Sequence, residues 1–214
     1  MHIEEKLSLA FYAGDIKTVD KIFKEYPRLK ERRVYLGGDW LYFAAAQSTI
    51  DMVKYLIELG FDPHAKAKQE GDNVLCNAAS DGRADMVEFL LGLGVEIDTS
   101  LSVRNPLISA VVANRGRIGP RGEFYTVKIE AEKIIRLLFE HGIDASIEYR
   151  SPGMNRLNAA GFALWNQKPE LAELICELQA EHGKDTFDYY MQKAIAGRNR
   201  QKRKSPYKTF IEER

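Results

Sequence analysis

The chain has 214 residues, with 31 Lys and Arg against 31 Asp and Glu and a formal net charge of zero. Two cysteines are too few for a disulfide framework, no apolar run is long enough to span a bilayer, and Glu4-Glu5-Lys6 breaks any N-terminal signal pattern, so a soluble, reducing, cytoplasmic setting is expected. The zero hides an asymmetry: residues 189–211 hold seven basic residues and no acidic one, which with the −1 of residues 212–214 leaves −6 on residues 1–188.

Taken in chain order, the sequence repeats itself. Leu7-Ser8-Leu9-Ala10 opens a first predicted helix, and Thr18, Val19, Ile22 and Phe23 place an apolar stripe on a second, which ends at Tyr26-Pro27. Asp39-Trp40 leads into Leu41-Tyr42-Phe43-Ala44, then Met52, Val53, Leu56 and Ile57, then Leu59-Gly60-Phe61-Asp62. Asn73-Val74 leads into Leu75-Cys76-Asn77-Ala78, then Met86, Val87, Leu90 and Leu91, then Leu93-Gly94-Val95-Glu96. Asn105-Pro106 leads into Leu107-Ile108-Ser109-Ala110. The period then stops for an insertion at about 115–130 that contains Arg115, Arg117 and Arg121 among glycines and Pro120, and that is expected to be a surface loop or a binding loop. Ile134, Ile135, Leu138 and Phe139 restore the stripe before His141-Gly142-Ile143-Asp144. A fifth unit is degenerate, with Ala160 in place of the leucine and Gln179 in place of the helix-ending glycine.

The four leading leucines stand 34, 34 and 32 residues apart, a period that marks stacked supersecondary units. Glycine just past a helix adopts the left-handed cap conformation without steric cost. Small residues at Ala10, Ala44, Ala45, Ala78, Ala79, Ala110 and Ala163 leave room for neighbouring helices to approach. Beyond residue 183, Phe187, Tyr190, Met191, Ala194 and Ile195 share one face of a predicted capping helix, followed by the basic run Arg198-Asn199-Arg200-Gln201-Lys202-Arg203-Lys204. The expected organisation is a repeat stack over 1–183 and a capping helix with basic tail over 184–214.

These phrases resemble the ankyrin repeat family over residues 5–178. Asn105-Pro106-Leu107 matches the opening of its inner helix, Ala78-Ala79 with Gly82 matches the helix itself, and Phe139-Glu140-His141-Gly142-Ile143-Asp144 matches the end of its outer helix. The resemblance implies an all-α solenoid of about five helix-turn-helix units with short β-turn fingers, in which degenerate terminal units act as caps. It also implies a non-catalytic module, adaptor or inhibitor, that binds a protein partner on a concave face of finger and inner-helix residues. Mapped onto this sequence, the face comprises Trp40, Tyr42, Gln47, Asp72, Asn73, Asp81, Arg104, Asn105 and Arg115, with Asp39, Cys76, Ser80, Val112 and Asn114 beside them. Trp40 has a competing reading, as a residue packed between fingers.

Two alternatives stand beside the module. One is a bacterial immunity-type inhibitor of a toxin, by analogy of size and family. The other is a nucleic-acid-associated protein that uses the basic tail. No catalytic, cofactor or metal constellation is legible: His2, His64, His141 and His182 have no Cys, His or acidic neighbour at ligand spacing, and Cys76 and Cys176 fall at core positions. A monomer without membrane contact is expected.

Overall fold

The computed structural model describes residues 2–34, 37–68, 71–113, 116–118, 124–126, 130–151, 154–183 and 186–204. The helices come in antiparallel pairs, in the expected all-α solenoid. The pairs are α1 (Ile3–Ala13) with α2 (Ile16–Glu25), α3 (Trp40–Gln47) with α4 (Ile50–Glu58), and α5 (Val74–Ser80) with α6 (Ala84–Gly92). They continue with α7 (Pro106–Val112) and α8 (Ala131–Glu140), then α9 (Ala159–Trp165) and α10 (Pro169–His182), and α11 (Phe187–Lys204) closes the series. Each inner helix packs on its own outer helix and on the inner helices of the neighbouring units.

The repeated residues explain the stacking. Leu7, Leu41, Leu75 and Leu107 are fully buried, and each contributes roughly 1.5–3 kcal/mol of apolar burial. The alanines between them are buried too, and their small size lets the inner helices lie close. Three outer helices end in the same hydrogen-bonded cap. Gly60, Gly94 and Gly142 take φ of 92°, 77° and 81°. Their amides, and those of Phe61, Val95 and Ile143, satisfy carbonyls that the last turn would leave open.

Three local features depart from the sequence-based expectation. The insertion carries a two-stranded antiparallel hairpin, β1 (Gly116–Ile118) with β2 (Phe124–Thr126), so it is more than a surface loop. Ile118, Phe124, Tyr125 and Thr126 are strong strand formers, which supplies the local reason. Gln179 does not stand at a helix end, because α10 runs on to His182. Its buried amide instead accepts from Ala145 N at 3.0 Å and donates to Tyr190 Oη at 3.2 Å, clamping α10 to the segment after α8 and to α11. The basic run is helical as far as Lys204, so α11 extends beyond a short cap. Tyr190 and Ala194 are buried, Phe187 and Met191 pack on the core, and Ile195, expected on that face, is exposed.

The finger of the fifth unit is a second hairpin, β3 (Tyr149–Ser151) with β4 (Met154–Leu157), which α11 covers. At the other end of the stack, a short 3-10 turn over Pro27–Glu31 replaces a glycine cap.

Candidate functional site

Much of the polar set expected to face a partner is consumed by the scaffold. Trp40 is 3% exposed, stacked flat on Phe11 with ring centroids 4.8 Å apart. Its indole Nε1 donates to the Leu29 carbonyl at 2.6 Å, so it seals the first unit against the second and is no surface anchor. Tyr42, also 3% exposed, donates from Oη to Asp72 Oδ2 at 2.7 Å, while its carbonyl accepts from Asn77 Nδ2 at 2.7 Å. Asn73 and Asn105 are helix N-caps. Asn73 Oδ1 accepts from the amides of Leu75 and Cys76, and Asn105 Oδ1 from those of Leu107 and Ile108. Their side-chain amides then reach the next finger, Asn73 to Glu96 O at 3.0 Å and Asn105 to Tyr149 Oη at 2.7 Å. Asp39 caps α3 in the same way, accepting from Tyr42 N at 3.0 Å.

Burial therefore takes Trp40, Tyr42, Asp72, Asn73 and Asn105 away from the surface a partner could touch. A buried polar group costs free energy unless it is bonded, and the next repeat supplies the bonds. Asn77, not singled out from sequence, is the clearest case. An asparagine in the third position of an otherwise apolar Leu-x-x-Ala helix was the available signal.

Gln47, Ser80, Asp81 and Arg104 are half-buried and lie at the surface of the face. Gln47 Nε2 donates to Asp81 Oδ2 at 2.5 Å across the repeat boundary. Gln47 Oε1 is buried and accepts no hydrogen bond among the described residues. The Arg104 guanidinium lies over Gly71, where a Cβ would come within 2.5 Å of Nη2, so the glycine gives the arginine its seat. Val112 is 40% exposed at the end of α7. Arg115 and Asn114 lie outside the described residues.

The finger of the fourth unit adds residues that sequence reasoning passed over. Leu101 and Val103 are 48% and 47% exposed, flanking the buried Ser102 and adjoining Arg104. Leu101 where the earlier fingers carry Tyr35 and Gln69, and Val103 where they carry Gly37 and Gly71, were the missed signal.

Neither cysteine is set up as a nucleophile. Burial, followed by the charge of Asp72, pushes the Cys76 thiol far up, and its Sγ donates to Arg104 O at 2.6 Å. Burial first, then Glu173 and Glu177, pushes Cys176 up to about 12. Among the described residues no group of three His, Cys, Asp or Glu side chains could hold a metal ion, and no helix is long and apolar enough to cross a membrane.

The model for ankyrin repeats, in three copies, matches residues 7–118, more than half of the chain. The chain belongs to the ankyrin repeat family. It is also similar to the ANK repeat-containing protein nipk-1 of Caenorhabditis elegans, 34% identical over 121 residues that make up 55% of this chain and 19% of that protein. The match thus spans about a fifth of that relative's length. Ankyrin repeats are in general protein–protein interaction modules and typically carry no catalytic activity. In this ankyrin stack the inter-repeat bonds of Tyr42, Asn73, Asn77 and Asn105 make a rigid scaffold. Of the residues expected to face a partner, Gln47, Ser80, Asp81 and Arg104 are half-buried, and Leu101 and Val103 beside Arg104 are exposed.

Proposed function

We propose that this ankyrin stack is a non-catalytic binding module, adaptor or inhibitor, that takes its protein partner on the fourth finger and the adjoining concave face. The observation that carries the reading is the exposure of Leu101 and Val103 next to Arg104. Arginine is among the residues that most often dominate protein interfaces, and the exposed Leu101 and Val103 beside it add apolar area that a partner can bury. Half-buried Gln47, Ser80 and Asp81 supply a polar rim, with Gln47 and Asp81 already joined across the repeat boundary. Tyr42 has no part in this face, because its hydroxyl is committed to Asp72.

The test is capture of partners from the cell's own lysate on the immobilised chain, with identification by mass, compared with a Leu101→Ser, Val103→Ser, Arg104→Ala variant. The expected result is loss of the specifically captured proteins with a stability change of about 1 kcal/mol or less, because Leu101 and Val103 are about half exposed and Arg104 is only half-buried. Capture of the same proteins in the same amounts by the variant would remove the fourth finger from the interface.

A further inference from the structure

The hairpin β3–β4 and helix α11 enclose an open groove of about 430 Å³ lined by Glu148, Arg150, Arg156, Lys193, Ala196 and Arg200. Close backbone contact builds it. A Cβ on Gly197 would lie 3.0 Å from Leu157 Cδ2 and 3.1 Å from the Arg156 carbonyl oxygen, so a larger residue would press on the hairpin and glycine eases the docking of α11. Ala194, on the same helix, is fully buried. One turn further on, Arg200 Nη2 donates to the Arg156 carbonyl at 3.3 Å. The docking brings four cations from two separate elements to one opening, where a single carboxylate, Glu148, lies 4.0 Å from Arg200 Nη2. Arg150, Arg156 and Arg200 are exposed and Lys193 is half-buried, so their packing gives little return for the repulsion among them.

We propose that this groove binds an acidic segment of a protein partner. Arginine guanidinium groups bind carboxylates through paired hydrogen bonds, and three of the four cations are arginines. The hairpin is the finger of the fifth unit, so the groove continues the edge on which the other fingers stand. One observation turns the choice from nucleic acid to polypeptide. No aromatic side chain is among the described residues lining the groove, and the exposed Tyr189 ring beside it is taken up by Lys193 Nζ, 4.5 Å from its centroid, whereas single-stranded nucleic acid is held largely by base stacking. The proposal rests on the reading of the chain as a protein-binding module but uses a different surface from the fourth finger.

The test is fluorescence anisotropy on the full chain with labelled oligoglutamate, and with oligouridylate of matched charge, at about 50 mM and about 200 mM salt. Oligoglutamate is expected to bind at low salt and to weaken as salt rises. Arg150→Glu with Arg156→Glu is expected to weaken it roughly tenfold. Lys54→Glu on α4, and the fourth-finger triple variant, are expected to leave it unchanged. If the double variant fails to fold, Arg156→Gln alone is read in its place, with a smaller loss expected. No binding of oligoglutamate at low salt, or equal binding by the groove variants, overturns the proposal. Tighter binding of oligouridylate with the same dependence on Arg150 and Arg156 also overturns it and assigns the groove to nucleic acid. Loss of the groove proposal with lysate capture intact leaves the module reading standing; loss of capture with oligoglutamate binding intact does the reverse.

Discussion

Gln167 shows how one residue departs from its own repeat. After α1 and α5 the turn into the outer helix holds a glycine with positive φ, Gly14 at 67° and Gly82 at 70°. After α9 the same turn holds Gln167 at φ 59°, the one non-glycine in that region among the described residues. A Cβ is strained there. Gln167→Gly is expected to raise stability by about 0.5–1 kcal/mol in urea unfolding, and an unchanged or lower midpoint would contradict that strain. Asp98 is a second residue-scale case. Burial acts to raise its pKa, but hydrogen bonds from Lys66 Nζ and from Ser100 outweigh that and hold the carboxyl at about 2. Because the folded pKa lies below the unfolded value of about 3.9, this contribution is full above about pH 4 and fades as pH falls toward 2. Asp98→Asn should flatten that part of the acid unfolding curve, and an identical curve would show that the pair between the third and fourth fingers adds nothing.

At the scale of the helix, stacking depends on side chains too small to hold neighbours apart. Ala78 is fully buried in α5, the helix that packs against both α3 and α7. Ala78→Leu is expected to cost on the order of 1–3 kcal/mol in a denaturant melt, since three added carbons have no room in a packed interior. A melt that does not move would mean that α5 can shift away from its neighbours. The repeated phrase made this position visible in sequence, because Ala recurs three residues after each leading leucine. The roles of the polar residues were not visible in the same way. Asn73 and Asn105 look like finger contacts when read along the chain, but their bonds go to their own helix amides and to Glu96 and Tyr149, 23 and 44 residues away.

For the whole molecule, the helices of each unit pack on those of the neighbouring units, so stability is expected to vary along the stack. The fifth unit has α11 on its outer side: α11 packs on both α9 and α10, and Tyr190 closes the bond to Gln179. Deleting residues 184–214 should uncover that apolar surface and raise amide hydrogen exchange in residues 159–182 well above that in residues 40–113. Uniform protection along the truncated stack would show that the first four units alone hold the fifth in place. The two surfaces proposed to bind belong to neighbouring units, and Tyr149 of β3 ties them together through Asn105 and the Thr99 carbonyl.

What the sequence determined by itself was everything set by near neighbours. Period, helix pairs, glycine caps and small inner residues all follow from contacts within a few residues or from one unit to an identical next one. The fate of individual polar and aromatic side chains was decided only in three dimensions. Trp40 and Tyr42 each read as either an anchor or a packed residue until the structure stacked the first on Phe11 and bonded the second to Asp72. The basic run read as a tail until Gly197 let its helix lie against β4 and bring Lys193 and Arg200 beside Arg150 and Arg156. Charge and exposure depend on which distant residues meet, and that pairing is fixed by how closely one helix can approach a hairpin some forty residues earlier.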